Sequence, residues 1–231
     1  MQYPHSYRYV DDAILSRRSV RAFRDTPVGR DVVEDILDVA RRAPSGTNTQ
    51  PWKVYALAGD AKRRLSERLL KAYDEPVQDA HREEFPYYPQ RWISPYLERR
   101  RKVGFDLYGL LGIARDDKPA MHRQQARNYR FFDAPVGLIF TIDRVMERGS
   151  LLDYGMFLQN IMVAARARGL DSCPQAAFRR YHRLLAEVLG LPDSESVVCG
   201  MSLGYAAEDA PENRLQTERE PVASFTRFEG W

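Results

Sequence analysis

The sequence has few of the residues that build metal sites, disulfide frameworks or histidine-dependent catalytic groups. Its 231 residues include only two cysteines, Cys173 and Cys199, which form no C-x-x-C pair and are too few for a disulfide framework. The four histidines lack the short, fixed spacings of metal ligands; they are His5, His81, His122 and His182. We therefore expect reduced thiols, no bound metal and no histidine that acts as an acid or base.

A strong charge of one sign and long apolar runs are also missing. The formal net charge is only +3, with 35 basic residues interspersed among 32 acidic ones. Nucleic-acid-binding proteins usually carry a stronger basic signature. No apolar run approaches the ~20 residues that span a bilayer, and residues 1–9 lack the apolar segment of a secretion signal. We expect a cytoplasmic protein that binds neither nucleic acid nor membranes.

The nucleotide-binding motifs G-x-G-x-x-G and G-x-x-x-x-G-K-[ST] are absent, so neither a Rossmann site nor a P-loop is supported. Residues 200–204 do match the G-x-S-x-G motif of α/β-hydrolases, with Ser202 at the nucleophile position. That motif requires a helix directly afterwards and a histidine later in the chain. Pro211 follows soon and the last histidine is His182. Ser202 is therefore predicted to be a serine near the end of a strand.

Hydrophobic periodicity predicts a mixture of helices and strands in one domain. Apolar residues at helical spacing predict helices at about 11–16, 31–43, 59–73, 151–168 and 181–189. Asp11 and Asp12 would lie in a favourable first turn, Pro44 would end the second helix, and Gly169 would cap the longest one. Strand composition predicts strands at 52–58, 134–143 and 196–205, with an extended segment at 170–177. The segment 134–143 is apolar on both faces, which indicates a central position.

Residues 74–130 do not continue this succession of predicted helices and strands. Aromatic residues are frequent there, which argues against a disordered linker, and residues 98–102 form a run of charges. The segment contains five prolines: Pro76, Pro86, Pro89, Pro95 and Pro119. We interpret it as a helical, lid-like excursion that caps a pocket, and the alternative is a peripheral helical hairpin with a solvated basic face.

The C-terminal residues 206–231 show little helical periodicity and are predicted to form an extended tail. Phe225, Phe228 and Trp231 are too apolar for a free terminus. They are expected to pack on another surface, and a partner subunit is the obvious candidate. No internal repeat or linker is visible, so residues 1–231 are interpreted as a single α+β domain.

Two stretches carry a concentration of binding groups. Residues 43–52 combine two prolines, Gly46, Asn48, Gln50 and a tryptophan between a predicted helix and strand. Such a loop suits a flat polar heterocycle, although an ordinary turn is the alternative. Arg17, Arg18 and Arg21 surround Ser19, and their guanidinium groups suit a phosphate; the alternative is a surface basic cluster.

Four stretches, in the same order along the chain, resemble the FMN-dependent nitroreductase family. They are residues 17–21 (RRSVR), 44–52 (PSGTNTQPW), 169–175 (GLDSCPQ) and 217–221 (TEREP). The resemblance implies a nitroreductase-like α+β fold, in which helices flank a central, mostly antiparallel sheet. It also implies an intertwined homodimer with two FMN sites built from both subunits, which would account for the apolar longest helix and the apolar tail.

The resemblance assigns cofactor-binding roles to particular residues. Arg17, Arg18 and Ser19 would bind the flavin phosphate together with Arg219, and Arg21 would reach N1 and the C2 carbonyl, where negative charge gathers in the reduced flavin. The other cofactor-binding positions are Pro44, Ser45, Asn48, Gln50, Pro174, Gln175 and Ala176. Some relatives carry a glutamate near N5 where this chain has Ala176, so a backbone N–H would have to make that contact here.

The implied activity is reduction of nitroaromatic or related quinone-like compounds by a ping-pong mechanism, with NADPH or NADH as hydride donor and no catalytic side chain. Substrate choice is expected in residues 74–130, where Tyr88, Trp92 and Tyr108 could stack on a planar ring. Two alternatives remain: a reductive dehalogenase of the same fold, as in iodotyrosine deiodinases, and a flavin-binding protein without turnover.

Overall fold

The computed structural model describes residues 5–75 and 81–231, with residues 5–8 described as backbone only. Pro76, one of the five prolines of the predicted lid, lies outside the described residues, as do residues 1–4 and the side chain of His5. The helices are α1 His5–Ser16, α2 Arg30–Ala40, α3 Gly59–Asp74, α4 Tyr96–Leu110, α5 Lys118–Ala126, α6 Ser150–Arg166 and α7 His182–Leu189. The strands are β1 Lys53–Ala58, β2 Val136–Asp143, β3 Asp171–Gln175 and β4 Glu195–Gly204.

The four strands form one sheet in the order β1-β2-β4-β3, and every neighbouring pair is antiparallel. β2 lies between β1 and β4, with Val54 opposite Phe140 and Ile139 opposite Gly200. Seven of its eight residues are buried, because both faces of the strand are covered. The predictions of an α+β protein with an antiparallel sheet and of a central strand at 134–143 are confirmed.

Helices cover both faces of this sheet. Successive side chains of a strand point to opposite faces, so Leu138 and Phe140 pack in the cluster formed with α2 and α6, whereas Ile139 packs in the cluster formed with α3 and α7. On the second face, Gly137 and Gly200 lie directly beneath the stacked rings of Phe131 and Phe178. A Cβ at either glycine would overlap one of these rings, which explains the glycines at two positions in buried strands.

Two predicted helix boundaries are wrong. α1 begins at His5, six residues before the predicted start, so Asp11 and Asp12 lie in the helix interior and no acidic residue occupies the first turn. Extension of an existing helix costs little, and the residues before Asp11 therefore join it. α2 ends at Ala40, before the predicted Ala43, because the residue that precedes a proline avoids helical angles.

In the described part of the segment 74–130, residues 81–130 contain the helices α4 and α5, and a 3₁₀ turn begins at Arg127 and ends at Asp133. The tail continues from β4 through a 3₁₀ turn at Pro211–Arg214. Both cysteines are free and buried. Within residues 5–75 and 81–231, no His, Cys, Asp and Glu side chains group in a way that could hold a metal ion. None of the helices described is long and apolar enough to cross a membrane.

Candidate functional site

A cavity of about 580 Å³ lies between the end of α1 and the C-terminal tail. It is lined by Ile14, Leu15, Ser16, Arg17, Arg18, Gln159, Leu215, Gln216, Thr217 and Arg219. Burial lowers the pKa of Arg17, and the positive charge of Arg219 lowers it further. Among the described residues, no carboxylate lies within ion-pair distance of either guanidinium. Two like charges held together in this way favour an anion between them.

The tail segment that carries Arg219 is held against the lid. Arg219 Nη1 donates to Thr217 Oγ1 at 2.7 Å, which fixes the guanidinium on its own backbone turn. The two flanking carboxylates, Glu218 and Glu220, form ion pairs with Lys102 and Arg99 of α4 at 3.5 and 3.0 Å. α4 therefore helps to place Arg219 beside Arg17, although these pairs are exposed and individually weak.

A second cavity, of about 350 Å³, lies beneath the lid. One wall is formed by Arg21 and residues 173–177, and the other by the lid and the turn that follows it. The lid and turn contribute Glu83, Tyr88, Leu107, Tyr108, Gln124, Gln125, Asn128 and Phe132. A planar ring system would therefore meet a cation, backbone groups, aromatic rings and neutral amides.

Cys173 lines the lid cavity and lies near arginines of both cavities. Its thiol lies in the field of both Arg21 and Arg17 and bonds with Ser19, but burial outweighs these effects and raises its pKa. The thiol is therefore neutral at pH 7 and is not a nucleophile. The thiol lines the cavity that contains Arg21 and also lies in the field of Arg17, which lines the cavity at the tail, so the two cavities lie close together.

The backbone around Arg21 is fixed by a buried side chain from the tail. Arg21 N donates to Asn213 Oδ1 at 2.8 Å, and Asn213 Nδ2 donates to the carbonyls of Ala22 and Ala207 at 2.7 and 2.9 Å. Glu212, next to Asn213, forms an ion pair with Arg127. Sequence reasoning missed Asn213 because nothing near it in the sequence indicates partners almost 200 residues away.

The segment 174–177 presents its backbone to the lid cavity. The Gln175 side chain points inward, where its Oε1 accepts a hydrogen bond from Ser202 Oγ at 2.7 Å and its Nε2 donates to Asn128 O at 2.9 Å. Ser202 is fully buried within β4 and no helix follows directly. The prediction that Ser202 is a serine near the end of a strand is confirmed.

The loop 44–50 is strained and exposed. Thr47, Asn48 and Gln50 all have positive φ values, of 49°, 59° and 48°, which cost energy for residues other than glycine and often mark functional sites. Ser45 holds the loop in this shape, because its Oγ accepts a hydrogen bond from Gln50 N at 3.0 Å and its carbonyl accepts one from Asn48 N at 2.9 Å. At the base of the loop, Gly46 N donates to Asp153 of α6 at 3.1 Å.

The structure does not bring all predicted site residues into one place within a single chain. Arg17, Arg18 and Arg219 line the cavity at the tail, with Ser19 beside the Cys173 thiol, whereas Arg21, Pro174, Gln175, Ala176, Tyr88 and Tyr108 line the lid cavity. Pro44, Ser45, Asn48 and Gln50 line neither of these two cavities. Trp92 does not line the lid cavity. Its ring lies beside that of Tyr88, with ring centroids 5.5 Å apart, and the Arg100 guanidinium lies over it.

The lid segment that carries Tyr88 is anchored by Glu84, which sequence reasoning also missed. Glu84 accepts a hydrogen bond from Ser196 at 2.6 Å, forms an ion pair with Arg144 at 2.6 Å, and lies 3.4 Å from His182. Burial alone would raise the pKa of Glu84, but these partners outweigh it and lower the pKa. Burial lowers the pKa of His182 despite the nearby carboxylate.

Comparison with known proteins identifies the family. The model of the nitroreductase family matches residues 14–205. The chain belongs to the nitroreductase family. The resemblance of the sequence to this family is therefore confirmed.

Named nitroreductases are similar to this chain over nearly its whole length. A 4-nitrobenzoate reductase of Pseudomonas putida is 45% identical over 221 residues, which cover 96% of each chain. A nitrobenzene nitroreductase of Ectopseudomonas oleovorans is 44% identical and covers 95% of this chain and 96% of its own length.

Solved structures of nitroreductases share the fold. An FMN- and NADPH-dependent nitroreductase, NfnB, from Sphigopyxis sp. strain HMH has a TM-score of 0.92 at 36% identity, covering 96% of this chain and 99% of its own. The FMN-dependent nitroreductase NfnB of Mycobacterium smegmatis, solved with NADPH, has a TM-score of 0.91 at 32% identity, covering 97% and 99%. The prediction of a nitroreductase-like fold is confirmed.

The anchoring of the lid by Glu84 predicts a specific pH dependence of stability. A carboxyl group whose pKa is lowered on folding contributes stability above its unfolded pKa, about 4.5, and loses it as the pH falls through the folded value. We expect Glu84→Gln to reduce the free energy of unfolding at pH 7, and the difference from the wild type to shrink below pH 4.5. Urea denaturation between pH 7 and pH 3 measures this, and a difference that is constant with pH would contradict it.

Proposed function

We propose that this protein is an FMN-dependent oxidoreductase that uses NADPH or NADH to reduce nitroaromatic, or related quinone-like, compounds. The observation that carries the proposal is that Cys173, which lines the cavity beneath the lid, lies in the field of Arg17, which lines the cavity at the tail, so the two cavities are close together. One cavity presents unneutralised arginines and the other presents a cation, backbone groups and aromatic side chains. A ligand with a phosphate at one end and a planar polar ring at the other fits this arrangement.

The donor set supports FMN binding at the cavity near the tail. Arg17, Arg18 and Arg219 would hold the phosphate, and Ser19 and Thr217 offer hydroxyl groups nearby. The lowered pKa of Arg17 supports this assignment, because the repulsion between Arg17 and Arg219 is relieved when a dianion lies between them. An adenine dinucleotide is less well suited, since the chain lacks the glycine-rich turn that would cradle a pyrophosphate.

The residues of the lid cavity would hold the flavin ring. When bound, FMN supplies the hydride-accepting and hydride-donating chemistry, so no protein nucleophile is required. Arg21, fixed through Asn213, provides a cation for the pyrimidine edge, and the backbone of residues 174–177, with Ala176 near its centre, passes the region assigned to N5. Tyr88 and Tyr108 on the lid would stack on the aromatic acceptor and exclude water. Trp92 would contribute by supporting the Tyr88 ring.

A second copy of the chain would complete the site. The loop with Pro44, Ser45, Asn48 and Gln50 is strained and exposed and lines neither cavity of its own chain, so we propose that it contacts the flavin of the partner. Many apolar side chains are exposed in the single chain and would be covered by dimerisation. They include Tyr9, Val10, Leu15, Leu152, Phe225, Phe228 and Trp231.

The proposed protein is a single FMN-binding domain over residues 1–231, forms an intertwined homodimer and acts in the cytoplasm. Two NfnB enzymes support NADPH as the reductant. One is an FMN- and NADPH-dependent nitroreductase, and the other was solved in complex with NADPH. Relatives at nearly equal identity are named for an acidic and for a neutral nitroarene. Their names therefore support a nitroarene as the acceptor and do not distinguish an acidic substituent from none.

The direct test is to observe both half-reactions by visible absorbance. The purified protein loaded with FMN should lose its flavin bands when NADPH is added without oxygen, and nitrobenzene should restore them. Parallel lines in double-reciprocal plots would indicate that the two substrates bind in turn. Failure to take up FMN would overturn the proposal. Restoration by an iodinated phenol but not by nitrobenzene would favour a dehalogenase, and restoration by neither would favour a flavin protein without turnover.

The assignment of the phosphate end predicts a selective loss of affinity. Arg219→Gln should weaken FMN binding roughly tenfold, since a hydrogen bond to a charged group contributes about 1.5–3 kcal/mol. Binding of riboflavin, which lacks the phosphate, should change less than about twofold. Titration monitored by flavin fluorescence measures both affinities.

Arg227→Gln is the matched control for this experiment. Arg227 lies in the same tail, is exposed and pairs with Glu229 at 2.9 Å, outside the cavity. It should leave both affinities unchanged. Equal weakening of FMN and riboflavin binding by Arg219→Gln would place Arg219 away from the phosphate.

A further inference from the structure

The Arg179 side chain is buried without a counter-charge. Arg179 is only 5% exposed, and no described carboxylate lies within ion-pair distance of it. Its guanidinium donates through Nη2 to the carbonyl of Phe85 at 2.5 Å and lies 3.8 and 5.6 Å from the ring centroids of Phe85 and Tyr87. Its Nε is buried and has no hydrogen-bond partner. Arginine is rarely buried without a paired anion.

The described acidic groups nearest to Arg179 act on it only through their charge and form no ion pair with it. The Glu84 carboxylate is occupied by Arg144 and Ser196. Glu83 is exposed and accepts a hydrogen bond from Tyr87 N at 3.1 Å. Burial raises the pKa of the adjacent Cys199 thiol to about 12, so that group is neutral at pH 7. Among the described residues, the cation is therefore stabilised by one carbonyl, two aromatic rings and the charges of Glu83 and Glu84, none of which forms an ion pair with it.

Arg179 lines a third cavity, of about 280 Å³, that shares residues 174–176 with the lid cavity. Apart from Arg179 and the edge of Gln175, its walls are largely apolar or aromatic. They include Tyr87, Leu151, Tyr154, Gly155, Leu158, Val198 and Cys199. A site with apolar walls and one buried guanidinium suits an aromatic ring that carries a carboxylate, which arginine can bind through two parallel hydrogen bonds.

We propose that Arg179 binds the carboxylate of an aromatic acceptor and thereby makes this protein selective for nitroarenes with an acidic substituent. The inference rests on the proposed function and names the substrate class of the same site. Arg179 acts as a specificity-determining residue and not as a catalytic one, because it meets a substituent away from the nitro group. The Arg179 rotamer is preset by Phe85 and Tyr87, so little conformational entropy is lost when the carboxylate binds.

Two acceptors that differ in charge but little in shape test the proposal. The holoenzyme is reduced with NADPH and reoxidised with 4-nitrobenzoate or 4-nitrobenzamide, and kcat/KM is measured for each. The amide group withdraws electrons more strongly than the carboxylate and makes the nitro group easier to reduce, so intrinsic reactivity favours the amide. We expect the wild type to prefer the carboxylate by roughly thirtyfold, the scale of a buried charge pair. A preference for the amide would overturn the proposal.

Substitution of Arg179 should remove this selectivity. Arg179→Met should lower kcat/KM for 4-nitrobenzoate roughly thirtyfold, while the value for 4-nitrobenzamide stays within about threefold. Arg180→Met is the matched control, because Arg180 is the next residue, is exposed and bonds to His81 O at 3.2 Å outside this cavity. It should leave the preference unchanged. Equal losses for both acceptors in Arg179→Met would contradict a role in carboxylate binding.

Benzoate binding to the wild-type holoenzyme tests the site even if Arg179→Met fails to fold. Benzoate should compete with 4-nitrobenzoate, and benzamide should compete much less. Absence of competition by benzoate would overturn the inference, for instance because a second copy of the chain supplies the anion for Arg179. Flavin reduction by NADPH and reoxidation by the amide report separately on the proposed function, so the failure of one proposal is distinguishable from the failure of the other.

Discussion

The free edge of β3 is the constraint on which the candidate site depends. β3 is the last strand in the order β1-β2-β4-β3, so its outer hydrogen-bonding groups need a partner. The segment after α1 supplies it, with a parallel bridge from Ser19 to Ser172 and a bond from Val20 N to Ser172 O at 3.1 Å. Because this segment runs along β3, Arg17 and Arg21 both act on the Cys173 thiol. The same backbone contact thus protects the edge of the sheet and positions the two arginines that are proposed to bind the ligand.

Single-chain packing accounts for only part of the proposed site. The tail brings Arg219 to Arg17 and fixes Arg21 through Asn213, and the lid places Tyr88 and Tyr108 over residues 174–177. The loop with Asn48, in contrast, is exposed to solvent and contains three residues in the left-handed region, a conformation that costs free energy. Such strain is understandable if the loop meets a partner, which agrees with the apolar surface left exposed on α1 and the tail.

Sequence reasoning identified the parts of the molecule whose signals are local. The apolar run at 134–143 indicated a central strand because both faces of a strand can be read from consecutive residues. The RRSVR and PSGTNTQPW stretches carried the family resemblance for the same reason. The start of α1 was missed because its first residues have no cap or apolar period. Asn213, Glu84 and Arg179 were missed because their roles come from partners far away in sequence, at Arg21, Ser196 and Phe85.

The most direct measurement is a crystal structure of the protein with FMN bound. The account predicts the phosphate between Arg17 and Arg219, the ring between Arg21 and residues 174–177, and the loop with Asn48 contributed by a second copy. A phosphate bound elsewhere, or a ring contacted by Asn48 of the same chain, would contradict the arrangement of the two cavities as one flavin site.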